Sequence, residues 1–444
     1  MTTVGSGPGH GPGGHEPGQG RQLSRTFSAL VVPNFRLYVA GQAVSLPGTW
    51  MQAVAQSWLV LQLTGSGAAL GLVAAAQFLP VLVLGPYGGL IADRSDKRRL
   101  LLGTQTTLGL QAFLLGMLSV THLVRLWMVF VLAVALGIVN SVDQPCRQTF
   151  VPELVGRERI QNAVSLNSVL TNAARAVGPA IAGLLIATTG VGVCFLINAA
   201  SFAAVLVALG RIRTAQLHPA PPARREAGQL RQGLRYVGGT PGLLVPLLMM
   251  ALVGTLAYEF QVSLPLLARL SLHGDATTYG FLTAAMGLGA VAGGLTVASL
   301  ARAGLLPFTV AAAGFGAAIL TAALIPSLAG ELAALAVVGF FSTAFMATGN
   351  TTLQLTADPR FRGRVMALWS VTFTGSTPIG GPIVGIVADD VGPRYGLGIG
   401  ALACLAATVL GALALTRLPP ADRYARRPRE LDWPTYQQAH ESRP

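Results

Sequence analysis

The chain has 444 residues, of which 52% are apolar and only 11% charged, against about 25% charged in a typical soluble domain. Its 30 Lys and Arg outnumber 17 Asp and Glu, giving a net charge of +13, and mean hydropathy is +0.59. This composition excludes a water-soluble enzyme and describes an all-α membrane protein, and because the basic residues are scattered over many loops without an aromatic-interleaved stripe, no nucleic-acid partner is expected.

In chain order, residues 1–30 open with MTTVGSGPGHGPGGHEPGQG, which has no apolar core to act as a cleaved signal and too few apolar side chains to fold. A disordered cytoplasmic tail is expected there. Apolar runs long enough to cross a hydrocarbon core follow at 36–62, 68–91, 100–120, 124–145, 162–188 and 190–210. A polar stretch at 211–240, containing HPAPPARRE, separates them from a second set at 242–268, 277–301, 306–327, 330–356, 364–389 and 394–417, and residues 419–444 form a polar tail. The expected organisation is twelve transmembrane helices in two six-helix bundles, 31–210 and 241–418, joined by a cytoplasmic linker. The many Gly (54) and Pro (27) residues are compatible with helices in a bilayer, where neighbouring helices re-satisfy the backbone.

With the N-terminus placed in the cytoplasm, every Lys and Arg except Arg125, Arg269, Arg394 and the intrahelical Arg175 falls in a tail or a cytoplasmic loop. That asymmetry places both termini in the cytoplasm. Lys97 is the only lysine, and arginine, alanine and glycine dominate instead, as in a GC-rich bacterial genome. A monomeric, multi-pass protein of a bacterial cell membrane is expected.

The two sets of spans echo each other. GTWMQAVAQSW from Gly48 aligns with GTLAYEFQVSL from Gly254 at an offset of 206, and Gly178-Pro179 in VGPAIAG aligns with Gly381-Pro382 in GGPIVG at an offset of 203. Two echoes in one order are the signature of a repeat transporter.

Polar residues inside the spans are candidates for a transport pathway. In the first span Trp50 stands beside Gln52 and Gln56, which are four apart and share a face; Gln42 precedes them, Asn167 and Asn172 lie in the fifth span, and Gln261 in the seventh. They suit a pocket for small amphipathic molecules or, equally, hydrogen bonding between helices. Asp143 is expected at the cytoplasmic end of the fourth helix, open to water and clustered with Arg147. Arg175 lies about 16 Å into the fifth helix, with Asp143, Glu259 or an anionic substrate group as alternative partners. Glu259 lies about 25 Å along the seventh, where an ionised carboxylate costs several kcal/mol unless it is paired or wet. It either carries a proton, attracts cationic substrates or faces water in an outer vestibule. Its counterpart in the repeat is Ala53, so the charge is one-sided.

The loop GGLIADRSDKRRLLL, with Gly89, Asp93, Arg94, Lys97, Arg98 and Arg99, resembles the G-x-x-x-D-R-x-G-R-K signature of the major facilitator superfamily, Asp96 replacing its second glycine. The resemblance is closer to the siderophore and macrolide efflux branch, similar to the enterobactin exporter. It is carried by GTWMQAVAQSWLVLQLTGSG, by DQPCRQTFVPELVGRERIQNAVSLNSVLTNAARAVGPAIAG from Asp143 and by RGRVMAL from Arg362. It implies the major facilitator fold, export as the direction, and a cytoplasmic latch in which Asp93 engages the start of the eleventh helix near Arg360, Arg362 and Arg364. In the second half Arg302 stands where Asp93 would be, so such a latch is one-sided. Gly178, Pro179 and Gly183 partly match the G-P-x-x-G-G signature of antiporters, Ala182 replacing one glycine. They serve either close packing or gating.

No phosphate-binding loop accompanies Lys97, which excludes an ATP-driven pump in this chain. Cys146, Cys194 and Cys404 are isolated and no His pair has ligand spacing, so neither a metal nor a cofactor is expected. The expected function is a secondary transporter that exports small amphipathic molecules of the antibiotic or siderophore class, coupled to protons. The alternatives are a carrier for uptake and a receptor or scaffold that moves nothing.

Overall fold

A computed structural model describes residues 28–218, 229–300 and 303–417. The expected tails beyond these limits, the centre of the linker and Arg302 lie outside the described residues.

Pro33, whose fixed φ suits a first helical turn, opens α1 (Pro33–Thr64), which ends on Gly65 in the left-handed region at φ 67°. Ser66 accepts from the backbone N–H of Ala69 and starts α2 (Gly67–Arg94); Asp96 does the same for Arg99 at the start of α3 (Lys97–Val120). The first half continues with α4 (Leu126–Val155), α5 (Ile160–Thr189) and α6 (Val191–Arg211). After a short helix at Gln229–Gly238, α7 comes in two pieces, α7a (Pro241–Leu256) and α7b (Phe260–Leu266), and α7b runs on as a π-turn over Leu267–Ser271. Then follow α8 (Ala276–Leu300), α9 (Leu305–Leu324), α10 (Leu328–Thr356), a divided α11 of α11a (Arg362–Thr374) and α11b (Thr377–Asp390), and α12 (Pro393–Arg417).

Among the described residues, eleven segments are long and apolar enough to span a bilayer. The exception is α1, at 32 residues long enough but more polar, because its buried face carries Gln42, Ser45, Gln52, Gln56 and Ser57. Most predicted spans match the observed helices to within a few residues, with two corrections. The fourth span does not stop at residue 145: α4 passes through Pro145 and Pro152 to Val155, and burial of Cys146, Phe150 and Leu154 against Phe35, Tyr38 and Leu209 offsets the hydrogen bonds the prolines remove. Asp143 therefore lies within a helix and is wholly buried, not open to water at its end. The other correction is that the seventh and eleventh spans are interrupted, at Ala257–Glu259 and at Gly375–Ser376.

Within the first half α1 packs on α5 and α6, α2 on α4, and α3 on α6; within the second, α8 packs on α10, and α9 on α10 and α12. The halves meet along two seams, α2 with α11b and α5 with α8. Both are built from backbone meeting backbone. A Cβ at Gly71 would overlap the carbonyl of Gly381, and one at Gly385 the carbonyl of Gly67. On the other seam a Cβ at Gly183 would stand 2.9 Å from the oxygen of Ala276, and one at Gly280 would stand 2.6 Å from that of Pro179. Glycine at these contacts lets the helices approach without wedges. Since α2 and α8 begin, and α5 and α11b end, on the side opposite the start of α1, the tightest contacts between the halves lie at that distal side.

Candidate transport site

The polar residues of α1 organise a cavity of about 220 Å³ within the first half, closed on one side by Gln261 of α7b. One hydrogen-bonded chain crosses it: Asn198 Nδ2 donates to Gln52 Oε1 at 2.6 Å, Gln52 Nε2 to Gln111 Oε1 at 3.0 Å, and Gln111 Nε2 to the carbonyl of Leu132 at 3.4 Å. One turn on, Gln56 Nε2 donates to Gln77 Oε1 at 3.1 Å. Gly48 makes room for this chain, since a Cβ there would lie 2.5 Å from Asn198 Oδ1. A second cavity, of about 510 Å³, shares Thr49, Trp50, Gln144 and Arg147 with the first and extends toward the side where α1 begins. A larger apolar groove of about 640 Å³ between α8, α9 and α10 carries no charged lining residue among the described residues and lies apart from this polar chain.

Three charged groups stand at or near the two polar cavities. Asp143 accepts at Oδ1 from Thr104 Oγ1 (2.7 Å) and Gln105 Nε2 (2.8 Å), while its Oδ2 sits 2.8 Å from Nε of Arg147 as an ion pair. Arg175 stacks over the ring of Trp50, with Cζ 5.3 Å from the centroid, and no carboxylate lies within ion-pair distance of it among the described residues. Of its three expected partners, Asp143 is thus taken by Arg147, and Glu259 forms no ion pair with it. Gly178 brings α5 against α1 here, since a Cβ would stand 2.6 Å from the oxygen of Pro47 and 2.8 Å from Trp50 Cβ, whereas Pro179 and Gly183 face α8 across the seam.

Glu259 sits elsewhere. Placed in the gap between α7a and α7b and 3% exposed, it lines neither polar cavity. Its carboxylate occupies a space left by two glycines of α11b: a Cβ at Gly380 would lie 3.0 Å from Oε1, and one at Gly381 would lie 3.4 Å from Oε2. Thr377 opens α11b beside it, and among the described residues Oε1 has no hydrogen-bond partner. The interruptions of α7 and α11 therefore face each other, with Gly254 against Ser376. Tyr258 turns the other way and donates to the carbonyl of Ser342 at 2.7 Å. Gly381 also touches the seam, since its absent Cβ would stand 3.1 Å from the oxygen of Gly71.

Gln52, Gln56, Trp50 and Gln261 are thus brought together, with Asp143 behind Arg147, while Asn172 only donates to Ser168 of its own helix at 2.9 Å. Of the loop residues, Lys97 pairs with Glu153 at 2.6 Å, and Arg98 donates to the carbonyls of Leu209 and Gly210 at the end of α6. Arg364 donates to Gln232 at 2.8 Å. Gly88, next to Gly89, is the glycine that lets α2 meet α4 at Ser141. Asp93, Arg94 and Arg362 form no ion pair among the described residues. The distal side, in contrast, is pinned across the halves. Asp389 of α11b accepts from Ser66 Oγ (2.7 Å) and from the backbone N–H groups of Gly67 (2.6 Å) and Ala68 (2.9 Å), and Arg269 donates to the carbonyl of Leu61 at 2.9 Å. An acid meets the start of α2 and a base the end of α1, each matched to the helix dipole. Sequence reading missed Asp389, Arg269 and the partners Gln77, Gln105, Gln111 and Asn198. Single polar residues in apolar runs marked the last four; nothing local marked the first two.

The family model of transmembrane secretion effectors matches residues 24–442. The multidrug efflux pump Tap of Mycolicibacterium fortuitum is 29% identical over 355 residues, covering 78% of this chain and 87% of Tap. The enterobactin exporter EntS of Citrobacter koseri is 27% identical over 402 residues, covering 87% and 94%. A shorter match, 31% identical, spans only half of the uncharacterized MFS-type transporter YfiS of Bacillus subtilis and 47% of this chain. In fold, the chain is similar to a bacterial homolog of the human lysosomal transporter Spinster in an inward-facing and occupied conformation, with a TM-score of 0.67 at 16% identity over 90% of this chain and 99% of that one. These relatives are transporters and not enzymes. The chain belongs to the transmembrane secretion effector family of the major facilitator superfamily.

Proposed function

We propose that this protein is a proton-coupled secondary transporter that exports small amphipathic molecules from a bacterial cell. In this reading twelve spans form two six-helix bundles, both termini are cytoplasmic, and the bundles rock about the carboxamide-lined cavity. The observation that carries it is the position of Glu259: a buried carboxylate with one unsatisfied oxygen, at the facing interruptions of α7 and α11, beside the seam that joins the halves. Discontinuous helices beside an ionisable group are the usual setting for ion coupling in carriers. Similarity to Tap and EntS supports efflux and a substrate of the antibiotic or siderophore class.

The distal side is held shut by both seams, by Asp389 and by Arg269, while Asp93 is free of Arg362 and Arg364. Such an arrangement fits a state open to the cytoplasm. The Asp93 latch then forms in the opposite state, and Asp93→Asn slows turnover with little change in substrate affinity. The test is transport of a substrate found in a drug-susceptibility panel, by protein in liposomes with and without an imposed proton gradient. Wild type responds to the gradient and Glu259→Gln does not. Equal rates and equal pH dependence in the two proteins overturn the role of Glu259, and no substrate movement at all overturns the transporter reading.

A further inference from the structure

We propose that Arg147, held by Asp143, determines substrate specificity: it makes the cavity prefer molecules bearing a carboxylate, or a comparably acidic oxygen, on an aromatic or apolar body over their cationic counterparts. This rests on the reading of the cavity as the substrate site and deepens it.

Among the described residues Arg147 is the only charged side chain lining either of the two polar cavities, and it lines both. Its setting is asymmetric. Asp143 is wholly buried, with Oδ1 taken by Thr104 and Gln105 and Oδ2 by Nε of Arg147, whereas the Arg147 side chain remains 27% exposed. The carboxylate is therefore behind the wall and the guanidinium in it. A guanidinium has five N–H donors in a fixed fork. With its Nε edge facing Asp143, the terminal nitrogens make no hydrogen bond among the described residues and remain for a ligand. That fork matches a carboxylate, and bonds between two ionised groups exceed those between neutral ones.

Trp50 lines both cavities beside Arg147 and carries Arg175 on its ring. One guanidinium thus stacks on Trp50 and another lines the same two cavities, and among the described residues no carboxylate lines either cavity to balance them. Glu259, the acid that would draw a cation, lines neither cavity. The remaining polar lining is carboxamide and hydroxyl, which donates and accepts without regard to charge. Discrimination by charge therefore falls to the guanidinium groups, and only Arg147 faces the space.

The test uses purified full-length protein and three ligands that share one ring system: 2-naphthoate, 2-naphthamide and 2-naphthylmethylammonium. Equilibrium affinities are read by calorimetry. The carboxylate is expected to bind about tenfold more tightly than the carboxamide, with the ammonium weakest. In Arg147→Gln the ratio of carboxylate to carboxamide affinity falls to about one, and in Asp143→Asn it stays at or above the wild-type value because the cation loses its neutralising partner. Arg147→Gln leaves Asp143 buried and unpaired and can fail to fold. The double variant Asp143→Asn/Arg147→Gln removes both charges and gives the same ratio of about one. Equal affinities for the three ligands, preference for the ammonium, a preference that survives loss of Arg147, or binding of none of the three overturns the proposal. A charge preference with no transport in liposomes strikes the transporter reading and leaves this one standing.

Discussion

The two halves, in which the sequence predicts a repeat, distribute their polar residues in opposite ways. In the first half carboxamides bond to one another across the cavity, and the buried carboxylates each have a cation: Asp143 is ion-paired with Arg147 and Glu153 with Lys97. In the second half two carboxylates, Glu259 and Glu331, are buried with oxygens that have no partner. Helix continuity follows the same division. The helices of the first half stay whole through Pro47, Pro80, Pro86, Pro145, Pro152 and Pro179, while α7 and α11 of the second half are interrupted. One half holds a hydrogen-bonded polar wall and the other an acid at a joint.

Four experiments sharpen or break this contrast. The largest effect is expected at the seam shared by the halves. Gly71→Val puts a branched side chain into the carbonyl of Gly381, so distal closure is blocked and liposome transport falls to background, while overall folding, read by size exclusion, survives. Next comes the acid at the joint: Glu259→Gln removes the response to a proton gradient, a loss of about tenfold or more. Adding Ala53→Glu does not restore it, because Ala53 lies in an unbroken helix and, at the offset that pairs Gly178 with Gly381, Val177 stands where Gly380 does. Restoration by Ala53→Glu would show that the halves are interchangeable after all.

A smaller effect is expected from Asp389→Asn. It weakens hydrogen bonds to the start of α2 and shifts the balance between distal-closed and distal-open states by about 1 kcal/mol, read by fluorescence transfer between labels on the exposed Leu63 and Tyr395. An unchanged distance distribution would leave the closure to the seam glycines and Arg269. The smallest effect belongs to Glu331→Gln. This residue is wholly buried in the first turn of α10, while Arg394 nearby spends its guanidinium on the carbonyls of Ala323 and Ile325. Its neutral variant is expected to keep gradient-driven transport within about twofold of wild type and to unfold no more easily, since removing a buried charge costs little. A loss comparable to that of Glu259→Gln would mean that the second half holds two coupling acids.

Much of the fold was readable because eleven of the spans write themselves in apolar runs of the right length, and caps such as Ser66, Asp96 and Ser327 mark several starts. The interruptions were not readable. Proline density does not locate them, and α4 shows why: it runs through two prolines because the continuation buries an aromatic and aliphatic face. Of the site, Gln52, Gln56, Trp50 and Gln261 were legible as polar or aromatic residues on facing stripes. The seat of Glu259 was not, since it is a pair of missing side chains at Gly380 and Gly381, over a hundred residues away. Asp389 escaped notice because an acid at the end of a span looks like an ordinary interfacial charge until the start of α2 is placed against it.

Gly381 serves two surfaces at once: it abuts Gly71 across the seam, and it walls the space that holds Oε2 of Glu259. Drawing α2 away from α11b therefore also strips one side of the acid's compartment. On the proposed reading of Glu259 as the proton carrier, access of protons and separation of the halves cannot be varied as independent coordinates, so slippage, the passage of a proton without a conformational cycle, is disfavoured by the geometry of one residue that has no side chain.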